Sequence, residues 1–421
     1  MKSILPCFTE ERMKPVIAPL AAVLFLFPVL VSVTGCTGDS RKVLEREKLF
    51  SLSYGRFEDE IDLFNLDSGT SGPDTQVFMR DGLVYIANSG AKKILQFTSY
   101  GDLLSVYYNP ETNPVPSFAG ADPGDGTVTA TTRKAVAYPF NHPVYLSVDL
   151  QKRLFVADQL PRERFEFDSE QRVILRDVVL RFNPDGQFLD FLGQEGPGGT
   201  PFPPITALYT NVRNELVVIS KTPDTTIVFW FDRDGSLLYQ VPVSVNALPS
   251  FYPDGEKVMP TLDRIVMDQN QVRLYMKIDY YTPIIDQSTG ADAGIAYDAS
   301  AIYPFDIDKG AYGERIDVPF YEGVDKDSQG TFTYKKPYEL LGVTSGQWFF
   351  FCTPVDEGYL LEALDSKTSR VHQRILYVSP DELAYNALIL SDDGILTALL
   401  ASGLNASVVW WRTDSLFGDI R

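Results

Sequence analysis

Three stretches of the chain repeat one pattern in register. GLVYIAN precedes ILQFTSYGDLL (residues 82–88 and 94–104). KRLFVAD precedes VLRFNPDGQFL (152–158 and 179–189). NELVVIS precedes VFWFDRDGSLL (214–220 and 228–238). Phe97, Phe182 and Phe231 each stand four positions before Gly101, Gly186 and Gly235. Each glycine is followed by an apolar pair, Leu103-Leu104, Phe188-Leu189 or Leu237-Leu238. Val84 and Ile86, Leu154 and Val156, and Leu216 and Val218 alternate with period two, the spacing of a half-buried antiparallel strand. The glycines sit where a tight reversal needs positive φ.

Such a repeat cannot bury its apolar face alone, so several must pack together. Weaker copies pair residues 273–278 with 301–306, 347–353 with 359–364, and 394–400 with 406–411. Six sheet units between about residues 76 and 421 predict an all-β, six-bladed β-propeller, whose radial packing protects its sheet edges. Residues 49–54 and 60–64 read as strand-like, and this N-terminal segment is expected to complete the last blade and close the ring. An open β-solenoid is the alternative, and the uneven unit lengths speak against it. Expected insertions are residues 109–134, 162–176 and 281–299. A content of 44% hydrophobic and 13% aromatic residues is ample for so large a core.

The pattern LFVAD followed by VLRFNPDGQFL resembles the NHL repeat, found in six-bladed propellers. The whole arrangement resembles an uncharacterised family of spirochaetal lipoproteins with NHL-like propellers. The resemblance rests on the N-terminal motif below, on SLSYGRFEDEIDLFNL and on ANSGAKKILQFTSYGDLL. It covers most of the chain, but the repeat match is clear in three units only. It implies an architecture and supplies no catalytic residues.

The stretch FLFPVLVSVTGC ends an apolar run that starts near Val16, preceded by Lys14. A basic flank, an apolar core and small residues before a break are the marks of a secretory signal. Val33-Thr34-Gly35-Cys36 resembles the bacterial lipobox, in which the cysteine receives a diacylglycerol and the chain is cut before it. Pro28 and the polar, Gly-containing exit fit a spanning helix poorly. Residues 1–35 are therefore expected to be a lipoprotein signal peptide. Glu10 and Glu11 are foreign to such a leader, and a start at Met13 removes them. Residues 36–48 then form the lipidated Cys36 and a polar tether, and residues 49–421 the propeller. The expected location is the cell envelope, with a lipid anchor, palmitate included, in a bacterial membrane.

The formal net charge of −19 argues against nucleic acid, which requires basic phosphate contacts, and against docking on anionic headgroups. Once Cys7 and Cys36 are accounted for, Cys352 alone remains, so no internal disulfide is expected. Within WFFFC it reads as a small buried hydrophobe. The chain has two histidines, His142 in a loop before a strand and His372 in a strand-like run, which makes a His-built metal site unexpected. No G-x-S-x-G, P-loop or H-E-x-x-H pattern is present. The acidic stretches 122–126 and 232–235 read as turns, residues 68–73 as a linker, and residues 195–204 as an inter-blade connection. Trp230, Trp348, Trp410 and Trp411 are expected to pack between blades, and Tyr280-Tyr281 to border a surface contact. The expected function is a membrane-anchored scaffold that binds a protein or a cell-envelope component, with no catalytic residues, cofactor or metal assigned. The alternatives are a divalent-metal-dependent hydrolase or lactonase-like propeller and a sensor of small ligands or glycans.

Overall fold

The computed structural model describes residues 42–64, 75–119, 132–253, 255–286, 288–327 and 330–416. Residues 1–41 lie outside them. The chain is a six-bladed β-propeller. Blade I holds Thr75–Arg80, Leu83–Asn88, Lys93–Thr98 and Leu103–Tyr108, with Lys134–Ala137 added in parallel at its outer edge. Blade II holds Leu146–Val148, Leu154–Gln159, Asp177–Phe182 and Phe188–Gly193. Blade III holds Ile205–Thr210, Leu216–Lys221, Thr225–Phe231 and Leu237–Ser244. In blade IV, Met259–Met267, Arg273–Ile285 and Asp292–Asp306 are followed by two short outer pieces, Ala311–Tyr312 and Ile316–Val318. Blade V holds Glu339–Val343, Trp348–Val355, Gly358–Asp365 and Val371–Tyr377. Blade VI takes Tyr385–Leu390, Ile395–Ala401 and Ala406–Arg412 from the C-terminal end of the chain. Its outer strand, Arg46–Leu52, comes from the other end and pairs antiparallel with Ala406–Arg412.

The closing strand takes in the expected residues 49–52 but begins earlier, at Arg46, so the end of the expected tether already pairs with blade VI. Residues 60–64 do not form a strand. Ile61 makes one isolated bridge to Tyr54, and Ile61 and Leu63 are buried against blades I and VI. Their apolar side chains pack without a ladder, so burial alone imitates a strand in the sequence. The three weaker repeat pairings hold, from Arg273↔Asp306 to Ile278↔Ala301, from Trp348↔Asp365 to Thr353↔Leu360, and from Ile395↔Arg412 to Ala401↔Ala406.

The repeated glycines do what the turn chemistry requires. Gly101, Gly186 and Gly235 have φ of +87°, +87° and +96°. Asn183 shows the local geometry: its Oδ1 accepts from the N–H groups of Asp185 at 3.0 Å and Gln187 at 2.8 Å. The ladder then shifts by one residue beside Phe182, the mark of a turn closed by a bulge. A Cβ on Gly101 would meet Phe50, one on Gly186 would meet Val136, and one on Gly235 would meet Arg181 and Leu192. Each turn glycine therefore also lets its blade press against the neighbouring one. Phe97, Phe182 and Phe231 are all buried. The turns after the inner strands have their own caps. Asp149 Oδ1 accepts from Arg153 N at 2.8 Å, Asn211 Oδ1 from Glu215 N at 3.0 Å and Ser391 Oγ from Ile395 N at 2.9 Å.

The C-terminal ends of the inner strands converge. Arg80, ending the inner strand of blade I, donates from Nη1 to Val148 O at 2.7 Å and Thr210 Oγ1 at 3.2 Å, which end the inner strands of blades II and III. Its Nη2 pairs with Asp392, just past the inner strand of blade VI. Past the inner strands of blades IV and V, Gln269 O accepts from Val212 N at 3.3 Å and Ser345 N donates to Asp392 O at 3.0 Å, so the inner strands all run the same way, and antiparallel pairing assigns the connections to faces. One face receives short reversals at residues 81–82, 149–153, 211–215, 232–236, 344–347, 366–370 and 391–394. We call it the turn face.

Candidate functional site: the insertion face and the blind channel

The opposite face, where the inner strands begin, carries the long insertions. Residues 160–176 leave blade II there and contain the hairpin Glu166–Asp168 with Val173–Leu175. In blade IV the insertion expected at 281–299 is a continuation of the ladder. Arg273–Ile285 and Asp292–Asp306 stay paired from Arg273↔Asp306 to Ile285↔Asp292. Tyr321–Asp327 with Gly330–Lys336 forms a further hairpin before blade V. None of the expected repeats or insertions covers it, although its Thr331-Phe332-Thr333-Tyr334 run has strand character. Apolar side chains stand out on these hairpins: Phe167 is 68% exposed, Ile295 59% and Val324 64%, with Ile284, Ile285 and Phe332 also exposed. The acidic stretch 122–126 and residues 68–73 lie outside the described residues. Residues 195–204 do connect blades II and III, after the short strand Gly196–Pro197 pairs back on Leu192-Gly193.

Within this crown the inner strands enclose a channel of about 470 Å³. Its turn-face end is blocked by Arg80 with Asp392, Thr210 and the Val148 carbonyl. Ser147 Oγ and Thr210 Oγ1 lie 3.0 Å apart beside this plug. Burial pushes the Asp392 carboxyl up, and the Arg80 guanidinium opposes that shift. The channel is therefore blind and opens on the insertion face.

Three consecutive blades shape its mouth with the same device. The ladder slips by one residue at Thr206 in blade III, at Asp263 in blade IV and at Leu341 in blade V. All three residues line the channel. A bulge breaks the two-residue alternation and re-aims a side chain. Asp263 is bound by Lys277 Nζ at 2.8 Å, and the same fully buried ammonium donates to Asp279 Oδ1 at 2.7 Å. Burial raises the Asp279 pKa, and Lys277 opposes it. Next to Asp263, Arg264 reaches across to Glu339 of blade V at 2.9 Å. Tyr209 OH donates to Ile265 O at 3.1 Å and so joins blades III and IV. Lys221, Thr226, Tyr145 and Gln76 add to the polar lining. These groups can hydrogen-bond and select by charge. Among the described residues no three His, Cys, Asp or Glu side chains are grouped so as to hold a metal ion.

A second polar cluster sits where the chain passes into blades II and III. Asp158 accepts from the backbone N–H groups of Asn141 and His142, just before the inner strand of blade II. Asp177 Oδ2 accepts from Ile205 N at 2.8 Å, at the start of the inner strand of blade III. Burial pushes both carboxyls up to about 6. The period-two pattern marks both positions only as strand ends, so their roles are invisible without the fold.

The singled-out residues fall as follows. His142 contributes its backbone to Asp158, and His372 lies on the outer strand of blade V with its ring 5.7 Å from Trp348. Cys352 is buried, and its thiol is pushed up to about 12 by burial, which leaves it an inert hydrophobe. Trp230, Trp348 and Trp411 are fully buried, and Trp410 is half-exposed. Tyr280 corrects its expectation. It is fully buried, donates to Pro249 O at 2.7 Å and packs edge-on to Phe251 at 4.9 Å. A rigid ring with a satisfied hydroxyl serves the core equally well. Cys36 and the segment before it lie outside the described residues. No described helix is long and apolar enough to cross a membrane.

No protein-family model and no curated protein matches the chain. Among solved structures it is similar to a gluconolactonase from Xanthomonas campestris, at 12% identity over 88% of this chain and 97% of that one, with a TM-score of 0.38. It is similar to the polysaccharide lyase Uly1, at 8% identity over 88% and 99% of the chains, with a TM-score of 0.41. The β-propeller domain of the Trilobed protease from Pyrococcus furiosus is similar at 8% identity over 81% and 96%, with a TM-score of 0.38. These likenesses add no residue and no activity to the site.

Proposed function

We propose that the chain is a lipid-anchored binding propeller of the bacterial cell envelope, whose insertion face recognises a protein or another envelope component. It would belong with the spirochaetal lipoproteins that it resembles. One observation carries the reading: the three inserted hairpins share one face, and the blind channel opens among them. A rigid ring that gathers its insertions on one side is built to present them. Exposed apolar side chains at their centres supply contact area, and the Arg264–Glu339 and Asp263–Lys277 pairs at the mouth supply charge selectivity. The lipobox-like Val33–Cys36 stretch supplies the anchor, with Cys36 as the acylated residue. The anchor is tested by the mass of the mature N-terminal peptide. Wild-type chain should begin at an acylated Cys36, and Cys36→Ala should accumulate as uncleaved precursor. Normal processing and membrane partition of Cys36→Ala would contradict it.

A further inference from the structure

On the reading that Cys36 carries the anchor, we infer that the turn face of blades I to III lies on the anchoring bilayer and the insertion face is held away from it. Two observations carry this. The first is where the described chain begins. Lys42 O accepts from Ile375 N at 3.1 Å, and Val43 runs parallel to the outer strand of blade V, Val371–Tyr377. That strand starts at the turn face, so the chain comes up from that side. Ile375 is four residues above its start, which is about 13 Å at the rise of a strand. The blade IV strand Arg273–Ile285 starts at the same face, and its last residue lies about 40 Å along it. That end therefore stands about 27 Å beyond Lys42. Whatever path residues 37–41 take, the chain from Cys36 to Lys42 spans at most about 21 Å. It is too short for the hairpins to meet the bilayer that holds Cys36.

The second observation is what the turn face exposes. Tyr100 is 88% exposed, Leu150 48%, Val212 43% and Phe188 42%, all at or beside reversals of blades I to III. Tyrosine with aliphatic neighbours suits the headgroup boundary of a bilayer. The cations at this level are matched by carboxylates: Lys134 with Asp185 at 3.6 Å, Lys152 with Asp81, and Arg213 with Glu215 at 2.8 Å. The face thus sets Tyr100, Leu150, Val212 and Phe188 among paired charges and exposed carboxylates and suits zwitterionic rather than anionic lipid.

The test uses the full, processed chain in phosphatidylcholine vesicles that contain an acceptor-labelled lipid. One variant, Asp185→Cys, carries a donor dye on the turn face, and another, Thr289→Cys, carries it at the blade IV hairpin tip. Cys352 is buried and does not compete for label. Energy transfer to the bilayer is expected from Asp185→Cys, with loss of transfer from Thr289→Cys. Leu150→Cys against Glu170→Cys, at the tip of the blade II hairpin, repeats the comparison should either variant misfold. Equal transfer from both faces, as in an edge-on posture, or stronger transfer from the hairpins would overturn the inference while leaving the anchor intact. Wild-type chain that does not partition at all would overturn the anchor reading and this posture with it.

Discussion

Arg80 and Asp392 are 312 residues apart in the chain and form an ion pair at the turn-face end of the channel. The guanidinium also holds Val148 O and Thr210 Oγ1, so one side chain ties together blades I, II, III and VI. It fixes the ring and seals one end of the channel in the same act. Removing it leaves the Asp392 carboxylate without its cation, while Val148 O keeps the Thr210 hydroxyl at 2.9 Å. Arg80→Met should cost about 1–3 kcal/mol, the scale of depriving one group of its hydrogen-bond donor, since the Asp392 side chain is 35% exposed. Asp392→Asn, which keeps an acceptor, should cost less. Chemical unfolding of both variants checks the order.

The repeat register predicts a different loss. Phe182 is fully buried, with ring centroids of Tyr107 at 5.2 Å, Tyr138 at 5.4 Å and Phe188 at 5.7 Å. Two of these partners belong to blade I and the segment that follows it. Phe182→Ala should therefore loosen a blade interface as well as a blade, at a cost of about 3–5 kcal/mol. A measured loss below about 1 kcal/mol would be too small for such a site.

Ring closure depends on Arg46–Leu52. Deleting residues 42–52 would uncover the whole edge of Ala406–Arg412 and remove Leu52 from the core shared by blades I and VI. An uncovered strand edge is a template for aggregation. The shortened chain should melt at a lower temperature and self-associate. An unchanged melting curve would mean that the ring does not need its clasp.

Asp158 and Asp177 give the fold a pH dependence of known sign. Their folded pKa of about 6 lies above the unfolded value of about 3.9. Between these values the folded chain binds more protons than the unfolded one, so stability falls as pH rises from about 4 to about 6. The shift amounts to about 3 kcal/mol for each carboxylate once both are ionised. Asp158→Asn with Asp177→Asn keeps a side-chain oxygen to accept from the backbone N–H groups and should flatten this part of the profile. The difference in unfolding free energy between wild type and double variant, followed from pH 4 to pH 7, measures it.

Much of this architecture is readable from residue patterns. Phe182 and Gly186 mark a turn and its blade because local sterics dictate both, and Leu154 with Val156 marks a strand by alternation alone. Arg80 is not readable in that way. It ends the short strand TQVFMR like any surface charge, and its partners lie in three other blades. Asp263 is hidden for a related reason, since a bulge abolishes the alternation from which strands are recognised. Tyr280 misleads because an aromatic pair beside an insertion looks like a contact surface. Here the insertion continues the ladder, and the ring stays in the core.

The claim that the insertion face recognises an envelope partner is tested most directly by photo-crosslinking in cells. A photoreactive residue replaces Ile295 or Phe332 on the insertion face, or Asp234 or Lys367 on the turn face. All four positions are exposed, so each variant should fold. The account predicts discrete protein or glycan adducts from Ile295 and Phe332 and none from Asp234 and Lys367. Adducts from the turn face alone, or equally from both faces, would contradict it.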